Sequence, residues 1–367
     1  MKKAFVILII LALNAAAANA SPTFVFNVIA GTSQQAVDGF TTAANLWSSY
    51  FTDNVTVYLT IGFNPLGGGV IGQTGSTQGS ISYTGARNAL IADATSGDDA
   101  TATAHLQGGS SVNMMINGTS NNPNGSGSII PYLDNDGDAN NSTIRLTTAN
   151  AKAMGVFGAN TQPGSCAGGA VGCDGFIQFN SNFNFDFDSS NGIDAGAFDF
   201  VGVAAHEIGH ALGFISGVDV LDFNCCSGPN PGPFSDDQFT FVSALDLFRY
   251  SDLSTANGAI DWTADTRAKY FSLDGGATNL GGFSTGTFNG DGRQASHWKD
   301  NLGLGIMDPT AALGELLQIS ELDLRAFDVI GWNRASAPPP VPEVNTAVLS
   351  LLGLAGLALA RRKNIKG

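Results

Sequence analysis

The chain has 367 residues, of which 43% are hydrophobic and 13% charged, with a formal net charge of −15. That apolar content can fill a sizeable core, which excludes a charge-rich disordered chain. The acidic balance makes a poor match for phosphate backbones and excludes nucleic acid as a partner.

In chain order, residues 1–20 come first. Lys2 and Lys3 precede an apolar run from Ala4 to Leu13, and Ala18-Asn19-Ala20 supplies small residues for cleavage. This is the layout of a secretory signal peptide, with Ser21 as the mature start, so an exported protein is expected. Thr23 to Ala30 reads as a strand, Gln34 to Phe51 as a helix with Val37, Phe40, Ala44 and Trp47 on one face, and Asn54 to Phe63 as a second strand. Residues 64–82 are rich in Gly, Ser and Thr and read as loop. Ala86 to Ala94 and Thr148 to Met154 read as short helices, and Gly175 to Phe187 alternates like a strand that ends in aromatics. Such a strand, just before the next helix, is either a core strand or an edge to which substrate could add. Asp199 to Leu212 reads as a helix with Asp199 as N-cap and Gly213 as its stop, and a last helix spans about Ser320 to Ile330. No linker divides residues 21–335, so one two-lobed unit of α+β class is expected.

Two smaller signals lie between these elements. Asp134, Asp136 and Asp138 in DNDGDANN form an acidic turn, either simply solvated or offering the clustered oxygens that Ca2+ takes; Gly137 is misplaced for an EF-hand. Cys166, Cys173, Cys225 and Cys226 allow three disulfide pairings in an exported protein, and the residues do not choose among them.

The chemistry concentrates in Phe198 to Ser216, FDFVGVAAHEIGHALGFIS. Four helical residues advance about 400°, so His206 and His210 share one face and can hold one metal ion between them. Glu207 sits beside them, where it can reach an activated water. This is the spacing of zinc peptidases, with Zn2+ as cofactor, His206 and His210 as ligands and Glu207 as catalytic base. A buried carboxylate on a largely apolar helix argues against a plain core helix. A catalytic zinc site needs a third ligand.

The segment resembles the metzincin peptidases, in which Gly ends the helix and a third His follows shortly after. Gly213 fits that pattern, but the third-ligand position is Ser216, which cannot replace His. His105 has no acidic or aromatic company and reads as surface or loop. His297 stands in Ser296-His297-Trp298, shortly before Gly305-Ile306-Met307-Asp308-Pro309. HEIGHALGF at 206–214, SHW at 296–298 and GIMDP at 305–309 are together similar to the leishmanolysin family, which inserts a long segment before its third His and Met-turn. LDLFRY, residues 245–250, is similar to that insertion. The resemblance implies a zincin-like two-lobed catalytic domain, with mixed sheet and active-site helix in the first lobe and an irregular second lobe. It implies His297 as third ligand and Met307 as an apolar floor beneath the imidazoles. Carboxylates at Asp219, Glu315 or Glu321 are the competing third ligands.

At the C-terminus, Pro338, Pro339, Pro340 and Pro342 form a stiff spacer over 336–343. Val344 to Ala360 is almost wholly apolar and is followed by Arg361, Arg362 and Lys363. That run is at the short limit for a transmembrane span, with its basic end held on the cytoplasmic side. The order VPEV, apolar run, Arg-Arg-Lys over 344–367 resembles the PEP-CTERM sorting signal, with Val344 where a second Pro is usual. The resemblance implies an exosortase-type sorting protease as partner and a destination in the cell envelope or outside it; a retained anchor is the alternative. Without both ends the chain keeps 10 basic and 30 acidic residues, about −20. The expected function is a secreted zinc endopeptidase acting on proteins or peptides. The alternative is a non-catalytic envelope or matrix protein with a structural zinc.

Overall fold

The computed structural model describes residues 20–67, 70–166 and 171–335. Most of the segment read as a signal peptide, the proline-rich spacer and the segment read as a sorting tail lie outside the described residues. Among the described residues no helix is long and apolar enough to cross a membrane.

The chain is α+β, with helices set among several small sheets. The largest sheet begins with Thr23–Val28 and Thr56–Asn64, which pair in parallel, Val28 opposite Ile61. Gly175–Asn180 adds in parallel to the second strand, Ile177 opposite Ile61. The helix Gln34–Tyr50 joins the first two strands; Ser33 caps it by accepting the Ala36 N–H. Ala36, Phe40, Ala43, Ala44 and Trp47 recur at helical spacing and are buried on its inner face. The Trp47 indole donates to the Ala205 carbonyl at 2.9 Å, which ties this helix to the helix Phe200–Leu212.

Residues 64–82 depart from the expected loop. Gly72–Ser76 is a strand, antiparallel to Gly175–Asn180, and Gln78–Ser82 pairs with Thr143–Thr147. Gly, Gln, Ser and Thr carry weak strand preference, so pairing partners remote in sequence decide the conformation here. As a result Gly175–Asn180 is an inner strand, and Gly72–Ser76 forms the sheet's edge. The run expected to end in one long strand instead breaks after Asn180; Phe185–Asp186 pairs with Phe198–Asp199. The aromatics of that run pack behind the next helix, with Phe187 stacked on Phe200 at 4.4 Å and Phe179 edge-on to it at 5.1 Å.

A helix over Gly97–His105 was not expected; its signal is the capping box between Ser96 and Asp99. His105 ends that helix and is exposed. Cys166 and Cys173 form a disulfide, leaving Cys225 and Cys226 adjacent with sulfurs 2.6 Å apart. Of the acidic turn, Asp138 accepts the Asn140 N–H as cap of a short helix, Ala139–Ser142. Oxygens of Asp134 and Asp136 gather instead with Asp236, so the clustered trio is not the sequential one.

Candidate metal centre

The helix Phe200–Leu212 carries the first two histidines. Its N-terminus is fixed by Asp199, whose carboxylate accepts the Gly202 N–H at 2.9 Å and the Leu317 N–H at 3.1 Å. Its C-terminus is closed by Gly213, at φ +124°, a conformation that favours glycine. That turn returns the Phe214 carbonyl to within 2.7 Å of His210 Nδ1. His206 Nδ1 meets the Ile306 carbonyl at 2.7 Å, and His297 Nδ1 meets the Gln294 carbonyl at 3.3 Å. A carbonyl only accepts, so all three Nδ1 atoms carry the proton and all three Nε2 atoms present lone pairs.

Those lone pairs converge. The Nε2 separations are 3.1 Å between His206 and His210, 3.1 Å between His210 and His297, and 3.3 Å between His206 and His297. Three acceptors facing one another without a donor are unfavourable alone and suit a metal ion, which this trio can hold. Burial first, and the neighbouring His206 imidazole next, push His210 down to about 3. Burial, with His210 and His206 next, pushes His297 well below the ordinary histidine value. Neutral imidazole is the form that binds metal.

His297 reaches the helix through a chain of hydrogen-bonded partners. Asp219 accepts the N–H of Ala295 at 2.6 Å and of Ser296 at 3.3 Å. Arg249, itself buried, donates to the carbonyls of Ala295 at 3.2 Å and Ser284 at 2.6 Å. Ser284 N–H donates to the His297 carbonyl at 3.0 Å, and its hydroxyl to the Trp298 carbonyl at 2.8 Å. The competing carboxylates are otherwise engaged. Asp219 holds the His297 segment, Glu315 accepts the Ala312 N–H at 2.8 Å, and Glu321 pairs with Arg334. Ser216 is buried and donates to Asp246 at 2.6 Å.

Met307 is fully buried under the helix; a Cβ on Gly209 would lie 2.6 Å from its sulfur. Only glycine at 209 admits that approach. One residue that the sequence reading missed organises this floor. Asp323 is 0% exposed and accepts from Trp298 Nε1 at 2.7 Å, Ile306 N–H at 2.8 Å, Ser320 N–H at 2.7 Å and Met307 N–H at 3.3 Å. It joins the His297 segment, the Met307 turn and the last helix, Glu321–Val329. Its burial pushes the carboxyl up, against which those donors act. Only a capping box between Ser320 and Asp323 marked it in the sequence.

Glu207 faces the edge strand. The Thr74 hydroxyl donates to its carboxylate, and a Cβ on Gly72 would lie 3.3 Å from Glu207 Oε1. Thr74 too was missed, because its segment read as loop. Gly72, Thr74, Gly75, Glu207, the three histidines and Asp219 line an open cleft of about 990 Å³. The arrangement brings together His206, Glu207, His210, His297 and Met307 and leaves His105, Glu315 and Glu321 outside the cleft.

Comparison with family models, curated proteins and solved structures finds no match to this chain.

Proposed function

We propose that the chain is an exported zinc endopeptidase of the leishmanolysin-like kind, on a zincin-like two-lobed fold, with His206, His210 and His297 as zinc ligands. The observation that carries the reading is the triangle of three Nε2 atoms at 3.1–3.3 Å, open to a cleft that also holds Glu207. A tetrahedral zinc with bonds of about 2.0–2.1 Å sets its nitrogens roughly 3.3 Å apart, so the donor set fits. Zinc, when bound, would acidify water and polarise the scissile carbonyl.

The chain's own residues supply the rest. Glu207 accepts the proton of the attacking water and returns it to the leaving amine. Thr74 donates to that carboxylate and orients it. The strand Gly72–Ser76 pairs on one side only among the described residues, and it lines the cleft beside Glu207. Its free backbone groups can take an extended peptide as an added strand. That moves the substrate-binding edge from residues 175–187 to 72–76. Met307 packs beneath the imidazoles and is not a ligand. In this reading the protein is exported and reaches the envelope or medium after an exosortase-type protease removes its tail.

The test is zinc stoichiometry and peptide cleavage in the purified protein and in His297→Ala. Near one zinc with cleavage in the parent and near none in the variant is the expected result. Unchanged zinc in the variant would move the third ligand to a carboxylate and remove the family reading. Zinc at full occupancy with no cleavage of any peptide library would favour a structural zinc in an envelope protein.

A further inference from the structure

Cys225 and Cys226 lie at the end of the helix Val218–Asn224, outside the chemistry of the histidine cluster. Neighbouring side chains on extended backbone point to opposite faces. Cys225 is extended, at φ −119° and ψ 157°, but Cys226 turns back at φ +57°. Positive φ is uncommon for a residue with a side chain. Among the described non-glycine residues only Asn301 shares it. The turn brings both sulfurs to one side, where they lie 2.6 Å apart. Both face Gly118, at φ +72°: a Cβ there would lie 2.5 Å from Cys225 Sγ and 3.0 Å from Cys226 Sγ. The described residues gather no third metal-ligating side chain with the pair, so the sulfurs are left to each other.

The same turn is bonded to the wall of the cleft. Gly228 N–H donates to the Cys225 carbonyl at 2.7 Å. The Asn289 side chain accepts the Ser227 N–H at 2.8 Å and donates to the Cys225 carbonyl at 3.4 Å. Asp222, on the helix before the cysteines, accepts the Phe288 and Asn289 N–H groups, each at 2.9 Å. Phe288 thereby stands edge-on to Phe223 at 6.0 Å, and these two exposed aromatics line the cleft. A bond that fixes the turn therefore fixes this wall.

We propose that Cys225 and Cys226 close a vicinal disulfide by exchange with an external disulfide, and that this bond holds the Phe288 wall of the cleft. Cys225 is 1% exposed, whereas Cys226 is partly open to solvent, so Cys226 reacts first. Its hydrogen bond with Cys225 also lowers the Cys226 thiol. The Cys226 thiolate attacks one sulfur of the external disulfide and expels a thiolate, which leaves a mixed disulfide. Cys225 then gives up its proton, and its sulfur attacks Cys226 Sγ and expels the second thiolate. The two protein thiols lose two protons and two electrons, and the external disulfide is reduced to two thiols. Oxidising compartments outside the cytoplasm, where the proposed export takes the chain, supply such disulfides. The bond needs neither zinc nor peptide hydrolysis to form.

The experiment incubates the full-length protein with oxidised glutathione, denatures it, blocks free thiols with iodoacetamide and maps its fragments by mass. The fragment with Cys225 and Cys226 should be unalkylated, lighter by two hydrogens than its reduced form, and open to alkylation at both sulfurs only after reduction. Alkylation of either cysteine before reduction, a retained glutathione, or a bridge to Cys166 or Cys173 would overturn the bond. Hydrogen exchange at the Phe288 and Asn289 amides tests the wall. Cys226→Ser, at the more open position, removes the bond and keeps Cys166–Cys173. It should speed that exchange roughly threefold or more relative to the oxidised parent. Equal exchange in the two proteins would overturn the hold on the wall. Neither readout uses peptide cleavage, so failure of the peptidase reading would leave both unchanged.

Discussion

The two halves of the histidine triad are held in different ways. His206 and His210 owe their relation to one helix, capped at Asp199 and turned off at Gly213. Helical geometry alone places them on one face. His297 sits in an irregular segment with no helix to hold it. Its place depends on Asp219, which accepts from the adjacent Ala295 and Ser296 N–H groups, and on the buried Arg249 and Asp323, which bond backbone of separate segments. Local ligands need only a capped helix; a distant ligand needs a buried polar scaffold, which is costly to break.

Four experiments would break or sharpen that comparison. The largest effect falls on chemistry and spares both halves. Glu207→Ala should lower peptide hydrolysis by about 10²–10⁴-fold while zinc content stays near one. Undiminished hydrolysis by pure Glu207→Ala protein would sink the base assignment.

Next comes the scaffold of the distant half. Asp323→Ala leaves four buried donors without an acceptor and should cost about 3–5 kcal/mol of stability. Asp219→Asn should keep the fold and weaken zinc by about 10–100-fold, as expected of a residue that orients a ligand. Urea denaturation and zinc competition separate the two. If Asp219→Asn matches the parent in zinc affinity, the segment 295–297 is held some other way.

The third effect is on pH. The folded His210 titrates near 3, against an ordinary value of about 6.5. Between those values the unfolded metal-free chain binds a proton that the folded chain refuses, so stability rises with pH in that window. His297 shifts in the same direction. Metal-free protein should therefore lose stability as pH falls from 6.5 toward 3, and His210→Ala should show a flatter dependence. Equal slopes in the two proteins, read by urea unfolding at several pH values, would contradict the buried neutral imidazole.

The smallest effect belongs to Thr74. Thr74→Val removes the hydroxyl that orients Glu207 and should lower kcat by about 10-fold or less, with zinc unchanged. Thr74→Ser should restore most of it. A variant with the parent's kcat would leave the edge strand as a wall of the cleft and no more.

Legibility in the sequence followed the same division. The opening strand–helix–strand, the histidine helix and the last helix were readable to within a few residues, because periodicity and caps are local signals. Residues 72–76 were not readable, since Gly72, Gln73, Thr74, Gly75 and Ser76 become a strand only by pairing with 175–180. With that strand went Thr74 and the proposed substrate edge. Asp323 was hidden because its partners, Trp298, Ile306 and Met307, lie in other segments. The acidic turn was seen, but Asp236 replaced Asp138 in the cluster, because capping had already claimed Asp138.

By itself the sequence determined which residues can ligate and which can act as base: a histidine pair four residues apart on a helix, a glutamate between them, and one more histidine near a methionine turn. It also determined where the helices cap and stop. Tertiary structure alone decided that His297 meets the pair, that Ser216 is occupied by Asp246, that Cys166 bonds Cys173, and that Gly72–Ser76 borders the cleft. The reason is physical: a helix encodes its neighbours through its own repeat, whereas contacts between distant segments depend on burial and hydrogen bonds that no local pattern records.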